Sequence, residues 1–218
     1  MARFGSLAIL VGSVLSFLMW RHDPGVVAVF THEEGLVERI SAALWFMAAA
    51  WSAVVAIRDT ERRLEWFLGA LLLALLGSRE LDIHAWLTGW SLDDFTKYWD
   101  PRIPLRQRLM VVGLFLVPAA LVLLIFTRRM WKIFWPAFRS GAGWTRDPLI
   151  WLVAAGLTVV LDKARQAWPL LGLGPRPTAL KAVEESLELA LGVYTILLLW
   201  PLWRQVLVPE PGEGPSVR

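Results

Sequence analysis

The sequence predicts an all-α fold: a polytopic membrane bundle of about six transmembrane helices. Three observations predict it. Of the 218 residues, 56% are hydrophobic, and the mean hydropathy is +0.52. The apolar residues gather in six blocks, each near the roughly 20 residues that a helix needs to cross a hydrocarbon core of about 30 Å. Tryptophan is abundant, 14 residues, and Trp20, Trp66, Trp86, Trp151, Trp200 and Trp203 fall near the predicted helix ends, where an amphipathic ring sits at the membrane interface.

The first span covers Phe4–Trp20 and ends at Arg21-His22-Asp23-Pro24-Gly25. One early arginine followed by an apolar stretch resembles a secretory signal, but no small-residue cleavage site follows, so this segment reads as a retained helix. The second span runs from Glu33 to Ile57. It opens with Thr31-His32-Glu33-Glu34, a capping box in which threonine and glutamate satisfy the orphan amides. A charged loop, Arg58–Glu65, leads to the third span, Trp66–Trp86. The polar loop Thr88–Pro104 precedes the fourth, Leu105–Phe126. Thr127–Asp147 is basic and tryptophan-rich and is expected to lie along the interface. Asp147-Pro148 then starts the fifth span, with Asp as cap and Pro in the first turn; it ends near Ala167. Pro169–Pro177 is a loop, and the sixth span is Leu180–Trp203. Together these form one membrane domain, 1–208, and the Pro- and Gly-rich tail 209–218 is expected to be disordered.

Six spans put both termini on one side. Basic residues split evenly between the two sides until Arg39, Arg79 and Lys163, which lie inside helices beside carboxylates, are set aside. Eleven then remain with the termini against eight opposite, which places the termini in the cytoplasm.

Several function classes drop out. The chain has no cysteine, which removes disulfides, thiolate metal sites and cysteine nucleophiles. The net charge is only +3 and its basic residues are dispersed, so nucleic acid is not an expected partner. Phosphate loops, HExxH and serine elbows are absent. Glu33-Glu34-Gly35-Leu36-Val37-Glu38-Arg39 approaches the EExxxR motif of CAAX-type intramembrane proteases, but the arginine stands one position late and that family's histidine motifs are missing.

The informative feature is the placement of acids. On the predicted topology, 13 of the 19 acidic residues and all three histidines fall on one half of the membrane. Glu34 and Glu38 share one face of the second span, and Ser41 continues it. Glu80 and His84 are four apart on the third, with Arg79 and Asp82 beside them. Asp162 lies in line with Thr158 and Arg165 on the fifth. On the sixth, Glu185 and Glu188 are three apart and Glu184 and Glu188 four apart, a stripe that Gly192 extends. A charge in hydrocarbon costs at least about 2.5–3.5 kcal/mol on insertion scales, so these residues are expected to face the bundle interior and converge.

Convergent carboxylates need a cation. Protons, the basic residues Arg39, Arg79 and Lys163, or a metal can supply it. Carboxylates with one imidazole suit Mg, Ca, Mn or Zn. Glu-x3-Glu with Glu-x2-Glu also resembles di-metal carboxylate bundles in outline, but the Glu-x-x-His element of the di-iron type is absent. The expected ligands are Glu34, Glu38, Glu80, Asp82, His84, Asp162, Glu185 and Glu188, with Arg39, Arg79 and Lys163 balancing charge. Each has a structural alternative. Glu34 serves equally as the capping-box glutamate, Glu33 and Glu184 as first-turn acids, and Asp162-Lys163 as a local ion pair.

The order Glu-Glu-Gly-Leu-Val-Glu (33–38), Arg-Glu-Leu-Asp-Ile-His (79–84), Leu-Asp-Lys (161–163) and Glu-Glu-Ser-Leu-Glu-Leu (184–189) resembles a group of uncharacterised small bacterial multi-pass membrane proteins. The resemblance implies a bacterial inner-membrane origin and a shared polar centre, and no activity. Three functions follow as expectations. The first is a cation centre, for a proton or divalent metal, used in transport or sensing. The second is a metal-dependent hydrolase or transferase on a lipid-like substrate. The third is a non-catalytic subunit of a larger membrane complex, associated with partner subunits or as a homo-oligomer in the lipid bilayer.

Overall fold

The computed structural model describes residues 35–89, 99–142, 145–168 and 178–207. The first expected span, the capping box and the C-terminal tail lie outside these residues. All regular structure among them is helical: α1 (Leu36–Arg58), α2 (Arg63–Glu80), α3 (Ile83–Thr88), α4 (Leu105–Val111), a π-helical turn (Val112–Leu116), α5 (Val117–Arg139), α6 (Arg146–Ala167) and α7 (Thr178–Leu207). Two helical segments, Leu36–Arg58 and Leu180–Trp203, are long and apolar enough to cross a membrane.

Beside an apolar core, the described residues bury several polar side chains and expose many apolar ones. Ser41, Ser52, Thr158, Thr195, Asp162, Glu184, Glu185 and Glu188 are buried, among small residues such as Ala42, Ala48, Ala56 and Ala182. Large aliphatic side chains lie outside instead, including Leu124, Leu152, Val153, Val159 and Val160. A monomer in water rarely exposes apolar surface on this scale while burying acids. In hydrocarbon the arrangement is the expected one, since helices there associate through small residues and polar contacts.

The described residues fall into two units, one drawn from 1–44 and 137–202, the other from 45–136 and 203–218. In the first, α1 and α7 run parallel: Glu38 meets Lys181 near both helix starts, and further along Leu44 lies against Gly192. The first two turns of α6 pack on the second half of α7, where the Trp151 indole N–H donates to Thr195 Oγ1 at 2.8 Å.

In the second unit, α1, α2 and α5 succeed one another antiparallel. Asp59, just past α1, accepts from the Trp66 indole at 3.0 Å, and about three turns nearer the other end Gly77 faces the Phe46 ring. On α2 and α5, Glu65 meets Arg129 and Gly69 faces Phe126. Trp203 is 1% exposed and packs edge-on against Trp51, ring centroids 5.2 Å apart. It therefore belongs to the core, not to an interfacial belt.

Three local outcomes differ from the sequence reading. The third span does not run unbroken to Trp86. Its helix stops at Glu80, and Asp82 adopts the left-handed conformation (φ 47°) before α3 begins, a geometry that aspartate tolerates better than most residues. The fourth expected helix does not end at Phe126. Helix α5 continues through it to Arg139, because Arg, Met, Lys and Ile carry good to moderate helix propensity however polar the stretch reads. Finally, Asp147 does not cap α6. Thr145 holds the cap position, and Asp147 sits in the first turn, where its charge favours the helix dipole.

The clip between α2 and α5 has a pH signature. Arg129 Nε and Nη2 both donate to Glu65 Oε1, at 2.8 and 2.7 Å. Burial alone would raise the Glu65 pKa. A hydrogen bond from its own backbone amide, then the Arg129 hydrogen bond and charge and the Arg62 charge, outweigh burial and hold it below the ordinary 4.5. A carboxylate depressed on folding contributes stability that is complete above its unfolded pKa and is lost as pH falls through the folded value. The thermal midpoint of the wild type in detergent is therefore expected to fall as the pH drops below about 4.5, and Arg129→Gln should flatten that slope; an equal slope in both proteins would count against the clip.

Packing gives a second test. A Cβ on Gly77 would stand 3.0–3.2 Å from three atoms of the Phe46 ring, whereas one on Gly156 meets nothing within 4 Å. Gly77→Leu should lower stability by about 1–3 kcal/mol through overpacking. Gly156→Ala should be neutral or stabilising by up to about 1 kcal/mol from helix propensity. Chemical denaturation of both variants checks the contrast.

Candidate functional site

The first unit holds a compact group of charges at the shared start of α1 and α7. Helix α1 follows directly on Gly35 and contains no proline or further glycine. Its first turn carries Glu38, and one turn on, Ser41 is buried with no hydrogen-bond partner for its hydroxyl. Helix α7 presents Lys181, Glu184, Glu185 and Glu188 within its first three turns. Because residues three and four apart share a helix face, Lys181, Glu184, Glu185, Glu188 and Gly192 form one stripe, and Gly192 against Leu44 shows that this stripe faces α1.

Lys181 is the centre of the group. Its ammonium lies 4.0 Å from Glu38 on α1 and 3.8 Å from Glu185 on its own helix. These are ion-pair distances longer than a tight hydrogen bond, so one lysine is shared between two carboxylates. Glu184, Glu185 and Glu188 are all at least nine-tenths buried. The charged groups that act on Glu185 are Glu38, Glu188, Lys181 and Glu184: three carboxylates and one ammonium.

The other expected residues take different places. Asp162 is buried and its carboxylate contacts the neighbouring Lys163 at 2.9 Å, the local ion pair that its sequence position allowed. In the second unit, Glu80 is 5% exposed and pairs with the adjacent Arg79 at 3.5 Å. Asp82 is exposed, at the break between α2 and α3. That break removes the shared helix face on which the pairing of Glu80 with His84 depended; the His84 side chain and Glu34 lie outside what the structure describes. Arg39 is exposed, one residue and so about 100° round the helix from Glu38, and among the described residues it balances no carboxylate. That role falls to Lys181.

Among the described residues, no three His, Asp or Glu side chains are grouped so as to hold a metal ion. The expected Mg, Ca, Mn or Zn site thus has no donor set there. What the geometry offers is a partly buried lysine–carboxylate cluster in which one ammonium lies between two carboxylates. No protein-family model, curated protein or solved structure matches the chain.

Lys181 was the residue that sequence reasoning missed. Its signal was present as the i, i+4 spacing to Glu185, but that pair runs Lys-before-Glu, the weaker orientation on an isolated helix. The shared contact can be measured by a double-mutant cycle of Lys181→Met with Glu185→Gln. A coupling of about 0.5–3 kcal/mol in unfolding free energy is expected for groups in one network, whereas simple additivity to within about 0.3–0.5 kcal/mol would mean that they are independent.

Proposed function

We propose that this chain is a six-span bacterial inner-membrane protein with both termini in the cytoplasm, and that Glu38, Lys181 and Glu185 form a proton- or monovalent-cation-binding centre used in transport or sensing. The observation that carries the reading is the single Lys181 ammonium held between carboxylates of two parallel helices, within a body that buries acids and exposes aliphatic side chains.

The chemistry follows from the shared cation. In hydrocarbon surroundings each ionised carboxylate needs a positive partner close by. One ammonium cannot make a short contact with Glu38 and Glu185 at once. A proton or small cation arriving at Glu185 releases Lys181 towards Glu38; its departure lets the ammonium return. Ionic contacts across two helices thereby change with occupancy, the element that both a carrier and a sensor require.

A second reading has a specific observation behind it. Asp162 with Lys163 and Glu80 with Arg79 are ion pairs between neighbours in sequence, acids with a basic partner on their own helix, as a non-catalytic subunit of a larger complex would have.

Reconstitution separates the two. Purified protein in sealed vesicles containing a pH indicator is subjected to a proton gradient and, separately, to sodium or potassium gradients. Wild type should dissipate one of them, and Glu185→Gln and Glu38→Gln should slow that flux by about tenfold or more, as expected when a membrane-embedded functional acid is neutralised. A wild-type protein inert to every gradient, whose thermal stability responds to pH and cations just as that of Glu38→Gln and Glu185→Gln does, would reject the cation centre and favour the accessory subunit.

A further inference from the structure

The helical run from Leu105 through the π turn to Arg139 is longer than a membrane is thick. At about 1.5 Å per residue it extends roughly 50 Å, against a hydrocarbon core of about 30 Å. Its apolar part ends at Phe126, and Thr127-Arg128-Arg129 follows. On the membrane reading, the last three to four turns of α5 therefore stand beyond the hydrocarbon, among the headgroups.

Those turns sort their side chains by direction. Arg129 is committed to Glu65. Arg128 and Lys132, four apart, are exposed and form no ion pair among the described residues. Trp131 and Trp135, also four apart, stack on each other with ring centroids 5.0 Å apart and planes at 16°. Positions 128, 131, 132 and 135 fall on one helical stripe. It alternates cation and indole, with Trp131 52% exposed. Cations four apart on a helix stand about 6 Å from each other, which allows both to reach the oxygens of one phosphodiester. Indoles prefer the headgroup level, with the ring against acyl chains and the N–H towards water.

The geometry points to this stripe as a docking site for an anionic lipid headgroup, with Arg128 and Lys132 holding the phosphodiester and the Trp131–Trp135 stack seated against the glycerol and upper acyl chain. Charge complementarity, and continuity with the exposed aliphatic surface of α5 formed by Leu121, Leu124 and Ile125, select an anionic phospholipid as the occupant. Neither feature belongs to the carboxylate cluster, so this site stands whether or not that centre conducts.

The test counts lipids on the full-length protein. Protein in neutral detergent is titrated with short-chain phosphatidylglycerol or phosphatidylcholine, and bound lipid is read by native mass spectrometry. Each basic side chain within reach of an anionic membrane lipid is worth a factor of about five in affinity. Arg128→Gln/Lys132→Gln should accordingly bind phosphatidylglycerol about 25-fold more weakly than wild type, with phosphatidylcholine binding unchanged, and Lys132→Gln alone about fivefold more weakly. Arg128→Lys/Lys132→Arg, which keeps both charges, should retain the preference and guards against misfolding of the neutral variant. Arg63→Gln/Arg146→Gln, which removes the same charge from other exposed positions, should retain it too. Equal phosphatidylglycerol binding by wild type and the neutral double variant would overturn the site. So would an equal loss in the Arg63/Arg146 control, or displacement of the lipid by an equal concentration of inorganic phosphate, which would identify a free-anion site instead.

Discussion

A carboxylate inside a helix bundle whose outer surface is hydrocarbon has no water to solvate it, so its position is tied to that of a positive charge. This constraint organises the first unit. Helix α1 contributes one acid and α7 several, and the two helices run parallel with their starts level, so that a single ammonium reaches both. The close approach that makes this possible comes further along, where Gly192 admits Leu44 to within 3.3 Å of where its Cβ would stand. Small residues and shared charge act together: the glycine sets the interhelical spacing, and the lysine offsets the desolvation of the acids that the spacing buries.

The second unit meets the same constraint differently. Its acids are satisfied at the ends of helices. Glu65 receives both Arg129 donors on one oxygen, while its other oxygen is buried without a partner. Asp59 accepts from the Trp66 indole and from the Arg62 backbone amide, and so ties the α1–α2 turn to the start of α2. The Asp59 contacts join consecutive helices across one turn, and the Glu65–Arg129 pair joins α2 to α5, 64 positions on. The Lys181 group, by contrast, joins elements well over a hundred positions apart in the chain, and that difference separates a structural clip from a candidate centre.

Much of this was legible in the sequence. Hydropathy blocks located α1, α6 and α7 to within a few residues, and the stripe ending at Gly192, expected to face the bundle interior, has Leu44 of α1 beside that glycine. The misses have local causes. Polarity after Phe126 suggested that the helix ends there, but helix propensity does not depend on hydropathy, and Arg128 to Lys132 extends α5 by turns that need no membrane. The break at Leu81–Asp82 carries neither glycine nor proline, so the spacing of Glu80 and His84 was read on a helix that ends between them. Lys181 sits in the first turn of α7, where a basic residue reads as interfacial; only the register of α1 beside it reveals its second partner. Trp203, near a predicted helix end, was read as an interfacial ring, but Trp51 takes it into the core.

The π turn at Val112–Leu116 decides how the halves of the longest helical run address their neighbours. Such a turn is what an α-helix becomes when it absorbs one extra residue without breaking. One residue corresponds to about 100° of rotation, so the faces of α4 and α5 are out of phase by that angle. Phe126 meets Gly69, and Arg129 meets Glu65, in the phase that includes this extra residue. Indexing the run from Leu105 with an uninterrupted 3.6-residue period would assign Arg128, Arg129 and Lys132 to the wrong sides of the helix. The insertion therefore works as a phase shifter: it leaves α4 free to follow its own pattern while turning one arginine towards α2 and its neighbour away.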